Sequence, residues 1–131
     1  MTQGVQDLKN SVPLVADKRT FVRFHARTDQ GVVHAPAQLI AQRGSAQVIL
    51  RPVNGQNSAI DLHTSPDRKH IDDAFLFELP NGFREKSVTL TGELNPQSTL
   101  AEANRGNNTT TVTVSFQAVP PLYLVLYNVS Y

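Results

Sequence analysis

The sequence predicts an all-β protein, an antiparallel β-sandwich of about seven to eight strands. Short runs rich in Val, Thr, Phe and Leu recur about every ten residues between turn signals, a rhythm typical of sandwiches and barrels. Two arms near the C-terminal end, 87–96 and 101–116, alternate apolar and polar residues around an Asn-rich connector, which indicates a closing hairpin. No segment shows a pattern that predicts a helix.

Length and composition restrict the chain to a narrow class of proteins. Its 131 residues suit one domain, which at this size buries roughly two thirds of the surface of the unfolded chain. The absence of cysteine excludes disulfides and thiolate metal sites. A net charge of +1, from 12 basic and 11 acidic residues, is too small for a surface that neutralises several phosphates. Nucleic acid is therefore not expected as a partner.

No signal peptide or membrane span is predicted. Residues 1–6 lack the basic start and the long apolar run of a secretory signal. No stretch reaches the roughly 20 apolar residues of a transmembrane helix, so membrane insertion is not expected.

Four strands are predicted in the first half of the chain, at 5–8, 20–27, 37–42 and 46–51. Alternation within the second and third strands assigns one face of each to the core: Val22, Phe24, Ala26, Ala37, Leu39 and Ala41. Pro52 predicts that the fourth strand lies at a sheet edge, because proline cannot donate to a strand ladder.

The second half contributes strands at 59–63 and 74–79 and then the closing hairpin. Turn signals at 53–57, 65–67 and 80–82 separate these strands. Their alternation assigns a further set of side chains to the core: Phe75, Phe77, Leu79, Val88, Leu90, Leu94, Val112, Val114 and Phe116. These strands complete a first domain at 1–117.

The remaining segment, 118–131, does not fit into a finished sandwich. Pro120-Pro121 favours an extended spacer, and the residues after it are apolar on both faces, as in a strand covered on both sides: Leu122, Tyr123, Leu124, Val125, Leu126 and Tyr127. We expect this interdomain strand to open a following domain; the alternative is an extra strand of the same domain. An unpaired strand of this kind would favour a dimer formed through the tail.

Several motifs give the chain a family resemblance. Glu93-Leu-Asn-Pro96, Glu102 and Asn107-Asn-Thr109 resemble the signature that closes the CARDB type of immunoglobulin-like domain, a cell-adhesion-related module of bacteria. The first segments, 2–6 and 12–23, are similar to sandwich modules that lie beside metalloprotease-like domains in large exported bacterial proteins. The resemblance covers most of the chain, although 56–71 carries no matching motif.

The resemblance implies a non-catalytic, immunoglobulin-like accessory domain of a multidomain protein, extracellular or at the cell surface. In such proteins a Pro-Pro-Leu strand leads into the next domain, and 120–127 resembles it. The implied function is that of a spacer or docking module. The implied partners are the neighbouring domain of the same polypeptide and a surface protein or glycan.

The Asn-rich connector has two interpretations. Asn side chains bond nearby backbone groups and tolerate left-handed conformations, so Asn95, Asn104, Asn107 and Asn108 suit a long loop. A calcium ion needs six to eight oxygen ligands. The connector supplies only part of such a shell, through Glu93, Asn95, Glu102 and Asn104, and it has fewer carboxylates than acidic versions of the family. Loop building is the favoured interpretation, and no cofactor is expected.

A ligand face is predicted on the strand at 20–27. Phe21, Arg23, His25 and Arg27 share one side of this strand, which would suit an acidic glycan and makes a carbohydrate-binding module the alternative function. The favoured interpretation is cross-strand pairing, because an immunoglobulin-like order places this strand beside 74–79, which carries Glu78 on its outer face.

Neither catalysis nor a metal site is indicated. The sequence contains no Gly-x-Ser-x-Gly elbow and no phosphate-binding glycine run, and adjacent Asp72 and Asp73 would face opposite ways on a strand. We therefore expect no enzyme activity. His63, Asp67 and His70, which flank one turn, are the best available metal ligands, but their spacing is a weak signal.

Overall fold

Eight β-strands and two single-turn 3₁₀ segments make up the computed structural model, which describes residues 13–101 and 106–118. The strands are β1 (Leu14–Val15), β2 (Phe21–Phe24), β3 (Val33–Arg43), β4 (Ala46–Leu50), β5 (Ala59–Leu62), β6 (Phe75–Glu78), β7 (Ser87–Leu94) and β8 (Thr109–Gln117). The 3₁₀ segments are Ile71–Asp73 and Asn81–Phe83. The described residues contain no α-helix, and the all-β prediction is confirmed.

The larger sheet has six strands in the order β1-β8-β7-β3-β4, with β5 also paired to β3. β1 runs parallel to β8, and the other pairs in this sheet are antiparallel. The predicted closing hairpin is present as β7 and β8, paired from Ser87↔Ser115 to Glu93↔Thr109. β4 ends the strand order, as Pro52 predicts.

β3 is longer than the predicted strand because it continues through Pro36. Neighbouring residues of a strand direct their backbone groups to opposite edges. The carbonyl of Pro36 accepts a hydrogen bond from Asn95 N, just after β7 ends, whereas Ala37 N donates to Ser58 O on the other side. Pro36, which lacks an N–H, therefore faces the edge of β3 at the point where β7 has already ended. On the opposite edge of β3, β4 pairs with its later residues and β5 with its earlier ones.

The smaller sheet consists of β2 and β6, antiparallel, with Phe21 opposite Glu78 and Phe24 opposite Phe75. This pairing confirms that the strand at 20–27 neighbours the strand at 74–79. The segment between β4 and β5 reaches the free edge of β6. There Asn54 donates from Nδ2 to Ala74 O and accepts at Oδ1 from Leu76 N, both at 2.8 Å. Val53 N donates to Leu76 O.

Side chains from both sheets form one hydrophobic core. Most residues assigned to it from the sequence are buried: Val22, Ala37, Leu39, Ala41, Phe75, Phe77, Leu79, Val88, Leu90 and Phe116. Four others are half-buried against it: Phe24, Ala26, Leu94 and Val114. The prediction for Val112 is wrong, since it is 47% exposed. Among the described residues β1 flanks β8 only at Phe116 and Gln117, so Val112 lies on a part of β8 that forms the edge of the sheet.

One end of the molecule is closed around Arg84, and we call it the Arg84 end. Arg84 is 9% exposed, and its Nε donates to Leu79 O at 2.5 Å. Its carbonyl accepts from Asp17 N, which ties the connection before β2 to the connection after β6. Lys86 O accepts from Phe116 N and fixes the last part of β8.

Two predicted elements lie outside the described residues. These are the strand at 5–8 and the interdomain strand, Leu122 to Tyr127. The division of the chain at Gln117 therefore stays a prediction.

Candidate functional site

The predicted ligand face begins at Phe21, which is engaged with its neighbours. The guanidinium of Arg19 lies over the Phe21 ring, 4.9 Å from its centroid. Arg19 Nε also donates to Glu78 Oε1 at 2.7 Å, directly across the strand pair from Phe21. The hydrogen bond from Arg19, with smaller effects from its charge and from Arg84, lowers the pKa of Glu78. Because this pair is solvated, it contributes little stability.

Arg23, the second residue of the face, supports a loop. Its Nη2 donates to the carbonyls of Arg68 and His70, each at 3.2 Å. The loop between β5 and β6 therefore lies against this part of β2. Arg23 and Phe21 both serve contacts within the fold, so the four residues do not form a free row of ligand donors.

His25 and Arg27, the other half of the face, line a cleft of about 820 Å³. The cleft lies at the opposite end from Arg84, where β2, β5 and β7 end and where β3 and β8 begin. Its apolar lining residues are Phe24, Ala26, Val33, Ala35, Leu62, Leu94, Leu100 and Ala101. Most of its polar lining residues come from the β2–β3 and β7–β8 connections.

Phe24 lines the cleft and packs against residues of both sheets. Its ring stacks on the buried Phe75 at a centroid distance of 5.9 Å. Gly92 of β7 lies beneath the same ring, and an ideal Cβ at this glycine would be only 3.1 Å from Phe24 Cδ2 and Cε2. The absent side chain of Gly92 therefore lets the Phe24 ring lie flat between the two sheets.

Asn95 shapes the connection on the other side of the cleft. It has a φ of 50° and is 4% exposed. Its Oδ1 accepts from Thr99 N, Thr99 Oγ1 and Leu100 N, and its Nδ2 donates to Leu100 O. Asn tolerates a left-handed backbone and bonds nearby main-chain groups, so the loop-building interpretation is confirmed for Asn95.

The proposed calcium ligands are only partly within the described residues. Asn95 Oδ1 already accepts three hydrogen bonds, and Glu93 Oε2 accepts one from Gln38 Nε2 at 2.6 Å. Glu102 and Asn104 lie outside the described residues. A calcium site at this connector therefore stays a prediction.

Two buried nitrogens of the predicted ligand face have no hydrogen-bond partner among the described residues, Nε of Arg23 and Nδ1 of His25. Burial lowers the pKa of His25 below its usual value, and the positive charges of Arg68 and Arg23 lower it further. The ring therefore favours its neutral form, which can accept at one nitrogen and donate at the other.

The histidines away from the cleft pair separately with carboxylates. His63 Nε2 lies 3.8 Å from Asp73 Oδ1, and His70 Nε2 lies 3.7 Å from Asp67 Oδ2. Across residues 13–101 and 106–118, no three His, Cys, Asp or Glu side chains converge as a metal site requires. His70 and Asp67 therefore lie together, but His63 pairs with Asp73 instead, and the three residues do not converge on one point as metal ligands would.

The sequence did not reveal the cleft itself. Val33, Leu62 and Leu100 belong to three different elements, and each lies where a strand begins or ends or in a loop. Their apolar character alone does not distinguish them from core residues. A weak signal was present in the placement of His25 and Arg27 just after an apolar strand.

Comparisons with known proteins do not extend this description. Searches against protein-family models, curated proteins and solved structures found no match to the chain. No helix in the described part of the chain has the length and hydrophobicity of a membrane span.

Proposed function

We propose that this chain is an immunoglobulin-like β-sandwich module, of the CARDB-like type, and that it acts as a spacer or docking domain. The strand order carries the proposal. In immunoglobulin folds one sheet contains strands C, F and G, with C′ added beside C in variable-type domains, and strands B and E pair in the other sheet. The order β8-β7-β3-β4 resembles the first set and the pair β2-β6 resembles the second, which supports the proposal.

A structural role is supported by how the conspicuous polar side chains are used. Asn54 completes the edge of β6, Arg84 binds a carbonyl at the closed end, and Arg23 holds the loop after β5. Asn95 organises the connection after β7. These groups stabilise connections of a sandwich, as expected of a non-catalytic module. Placement in a larger exported or cell-surface bacterial protein is proposed from the motif resemblance.

The glycan-binding alternative is less well supported. It requires Phe21, Arg23, His25 and Arg27 to face one ligand. Arg23 instead donates to two backbone carbonyls, and Phe21 lies beneath Arg19. We therefore do not advance this face as the binding surface.

The experiment that tests the module removes residues 119–131. Sedimentation at several concentrations and thermal melts are compared for the full chain and the shortened chain. A shortened monomer that melts close to the full chain is expected, because the described strands already share one core. A large loss of stability on shortening would show that the tail is part of this domain, and would contradict its proposed role as an interdomain strand.

A further inference from the structure

One edge of β8 is open along most of its length in the described part of the chain. β1 flanks this edge only at Phe116 and Gln117, so no described strand lies beside residues 109–115 on this side. Val112, in the middle of the open stretch, is 47% exposed. An open strand edge carries backbone donors and acceptors that an extended segment can pair with. The edge is therefore a docking surface for a strand.

The backbone of β8 shows which of its groups point toward the open edge. Gln117 O points that way, since it accepts a hydrogen bond from Ala16 N just after β1. Residues two apart in a strand direct their backbone groups to the same edge. Ser115, Thr113 and Thr111 therefore direct theirs to this edge as well, and they give the open stretch a regular row of donors and acceptors.

The register of β1 leads the residues before it along this same edge. β1 is parallel to β8, with Leu14 opposite Phe116, so each step back along one strand is a step back along the other. Continued backward, the register gives three further opposite pairs: Val12 and Val114, Asn10 and Val112, and Leu8 and Thr110. Because residues 8–12 are continuous with β1, they need no turn to reach the edge.

The sequence of this segment suits an edge strand in that register. Positions that share the face of the buried Leu14 alternate with outward ones: Leu8, Asn10 and Val12 inward, Lys9, Ser11 and Pro13 outward. All but Asn10 of the inward set are apolar. Pro13 directs its backbone away from β8, since Ala16 and Leu14 direct theirs toward it. The missing N–H of Pro13 therefore does not interrupt pairing with β8.

Other occupants fit the edge less well. The tail after β8 would have to fold back as a hairpin, and the position beside Phe116 and Gln117, where that hairpin would start, already holds β1. A strand from a second molecule would lose translational and rotational freedom on binding. Residues 8–12 avoid that cost because they are attached to a strand that is already paired.

We propose that residues 8–12 continue β1 along the open edge of β8 as a parallel strand, with Val12 beside Val114 and with Val112 covered. The chain itself then closes this edge of the larger sheet, and a partner of the module is not recruited by adding a strand to β8. This proposal adds to the spacer or docking role and does not rest on the immunoglobulin-like assignment.

Paired cysteines test the register on the full chain, which has no cysteine of its own. Asn10→Cys combined with Val112→Cys places two thiols on opposite residues of neighbouring strands, a separation within the range of a disulfide. Mild oxidation should give an intramolecular disulfide, detected by mass spectrometry and non-reducing electrophoresis. Lys9→Cys combined with Val112→Cys is the matched control, and little disulfide should form because residue 9 faces the other side of the sheet.

Amide hydrogen exchange tests the pairing without cysteines. The amides of Thr113 and Ser115 should be protected in the full chain, because the proposed strand gives them the carbonyls of Asn10 and Val12. Val12→Pro removes an N–H that faces β8 and should speed exchange of both amides about 2- to 12-fold, the range for one net hydrogen bond. Ser11→Pro, whose N–H would face away from β8, is the matched control and should leave both rates unchanged.

Three results would overturn the proposal. Fast exchange at Thr113 and Ser115 in the full chain would show that the edge stays open. Disulfide-linked dimers of the Asn10→Cys, Val112→Cys chain would assign the edge to a second copy. A more complete disulfide from Tyr123→Cys with Val112→Cys would assign it to the tail. None of these readouts measures the stability of a chain lacking residues 119–131, so this proposal and the module proposal can fail separately.

Discussion

The two ends of the molecule are built from the same kind of strand connection, yet they differ in how their polar groups are used. At the Arg84 end, side-chain and backbone donors bind carbonyls that link two connections, β1–β2 and β6–β7, to each other and to the end of β8. Each end holds a buried side-chain nitrogen without a hydrogen-bond partner among the described residues, Arg43 Nε at the Arg84 end and His25 Nδ1 at the cleft end. Only at the cleft end, however, do large apolar side chains of the strand ends, Phe24 and Leu94, remain half-buried around a cleft. The Arg84 end therefore stabilises the sandwich. The cleft end leaves part of its apolar surface open to solvent.

One residue near the cleft end, Asn95, has a side chain that is fully hydrogen-bonded, and its replacement should have the largest effect on stability. Replacing Asn95 with Ala removes four side-chain hydrogen bonds and places alanine at a positive φ. We expect the free energy of unfolding to fall by about 3 kcal/mol, because each net hydrogen bond contributes about 1 kcal/mol and water compensates for part of the loss. Chemical denaturation measures this loss.

Asn95→Asp is the matched control, since it retains the oxygen that accepts from Thr99 and Leu100. It should lose clearly less stability than Asn95→Ala. Equal losses for the two variants would show that Asn95 Oδ1 does not organise the loop.

Arg84 tests the closed end. Arg84→Met keeps an apolar stem but removes the donors to Leu79 O and Glu78 Oε1, so we expect a loss of about 2 kcal/mol. Arg19→Met, which removes an exposed partner of the same Glu78, should cost less than about 1 kcal/mol. If the two variants lose the same stability in denaturant melts, the buried hydrogen bonds of Arg84 contribute no more than the exposed pair of Arg19.

Gly92 tests the floor of the cleft. In Gly92→Ala the new methyl group meets the Phe24 ring, which must shift away from β7, and we expect a cost of about 1 kcal/mol. Gly82→Ala, at the Arg84 end with no atom within 4 Å of the added Cβ, should leave stability nearly unchanged. Thermal melts of the pair measure the difference, and a stable Gly92→Ala protein would mean that Phe24 does not rest on β7.

His25 predicts a pH dependence smaller than these effects. Its pKa is lower in the folded protein than in the unfolded chain, so the unfolded state binds the proton more readily. The contribution of His25 to stability is therefore fully present above about pH 6.5 and is lost as the pH falls below that value. His25→Gln should make stability less dependent on pH in this range. Denaturant melts at several pH values measure this dependence. If the stability of both proteins changes equally with pH, the assignment to His25 is refuted.

Much of the fold could be predicted because alternation along a strand directly records which face is buried. Phe75, Phe77 and Leu79 were assigned correctly for this reason. The start of β3 was missed because proline usually ends a central strand, and whether its partner strand has already ended is not visible locally. Val112 follows the same alternation as Val88, but it lies in a part of β8 that β1 does not flank, which the alternation does not record.

The candidate site was harder to predict because it is assembled from the ends of elements. Asn95 could be assigned to loop building from its residue type alone. The role of Gly92 depends on Phe24, which is distant in sequence, and on a packing distance that no pattern records. Likewise, His25 is distinguished by the absence of a partner for one ring nitrogen, a property of the folded surroundings.

The Asn54 side chain at the edge of β6 has a consequence for how the protein behaves in a concentrated solution. Exposed strand edges can recruit strands of other molecules and start aggregation. Asn54 offers β6 one donor and one acceptor, as a neighbouring strand would, but it cannot continue the ladder. The Asn54 amide and the backbone N–H of Val53 together occupy the outward carbonyl of Ala74 and both outward groups of Leu76, so an incoming strand finds these backbone groups already bonded.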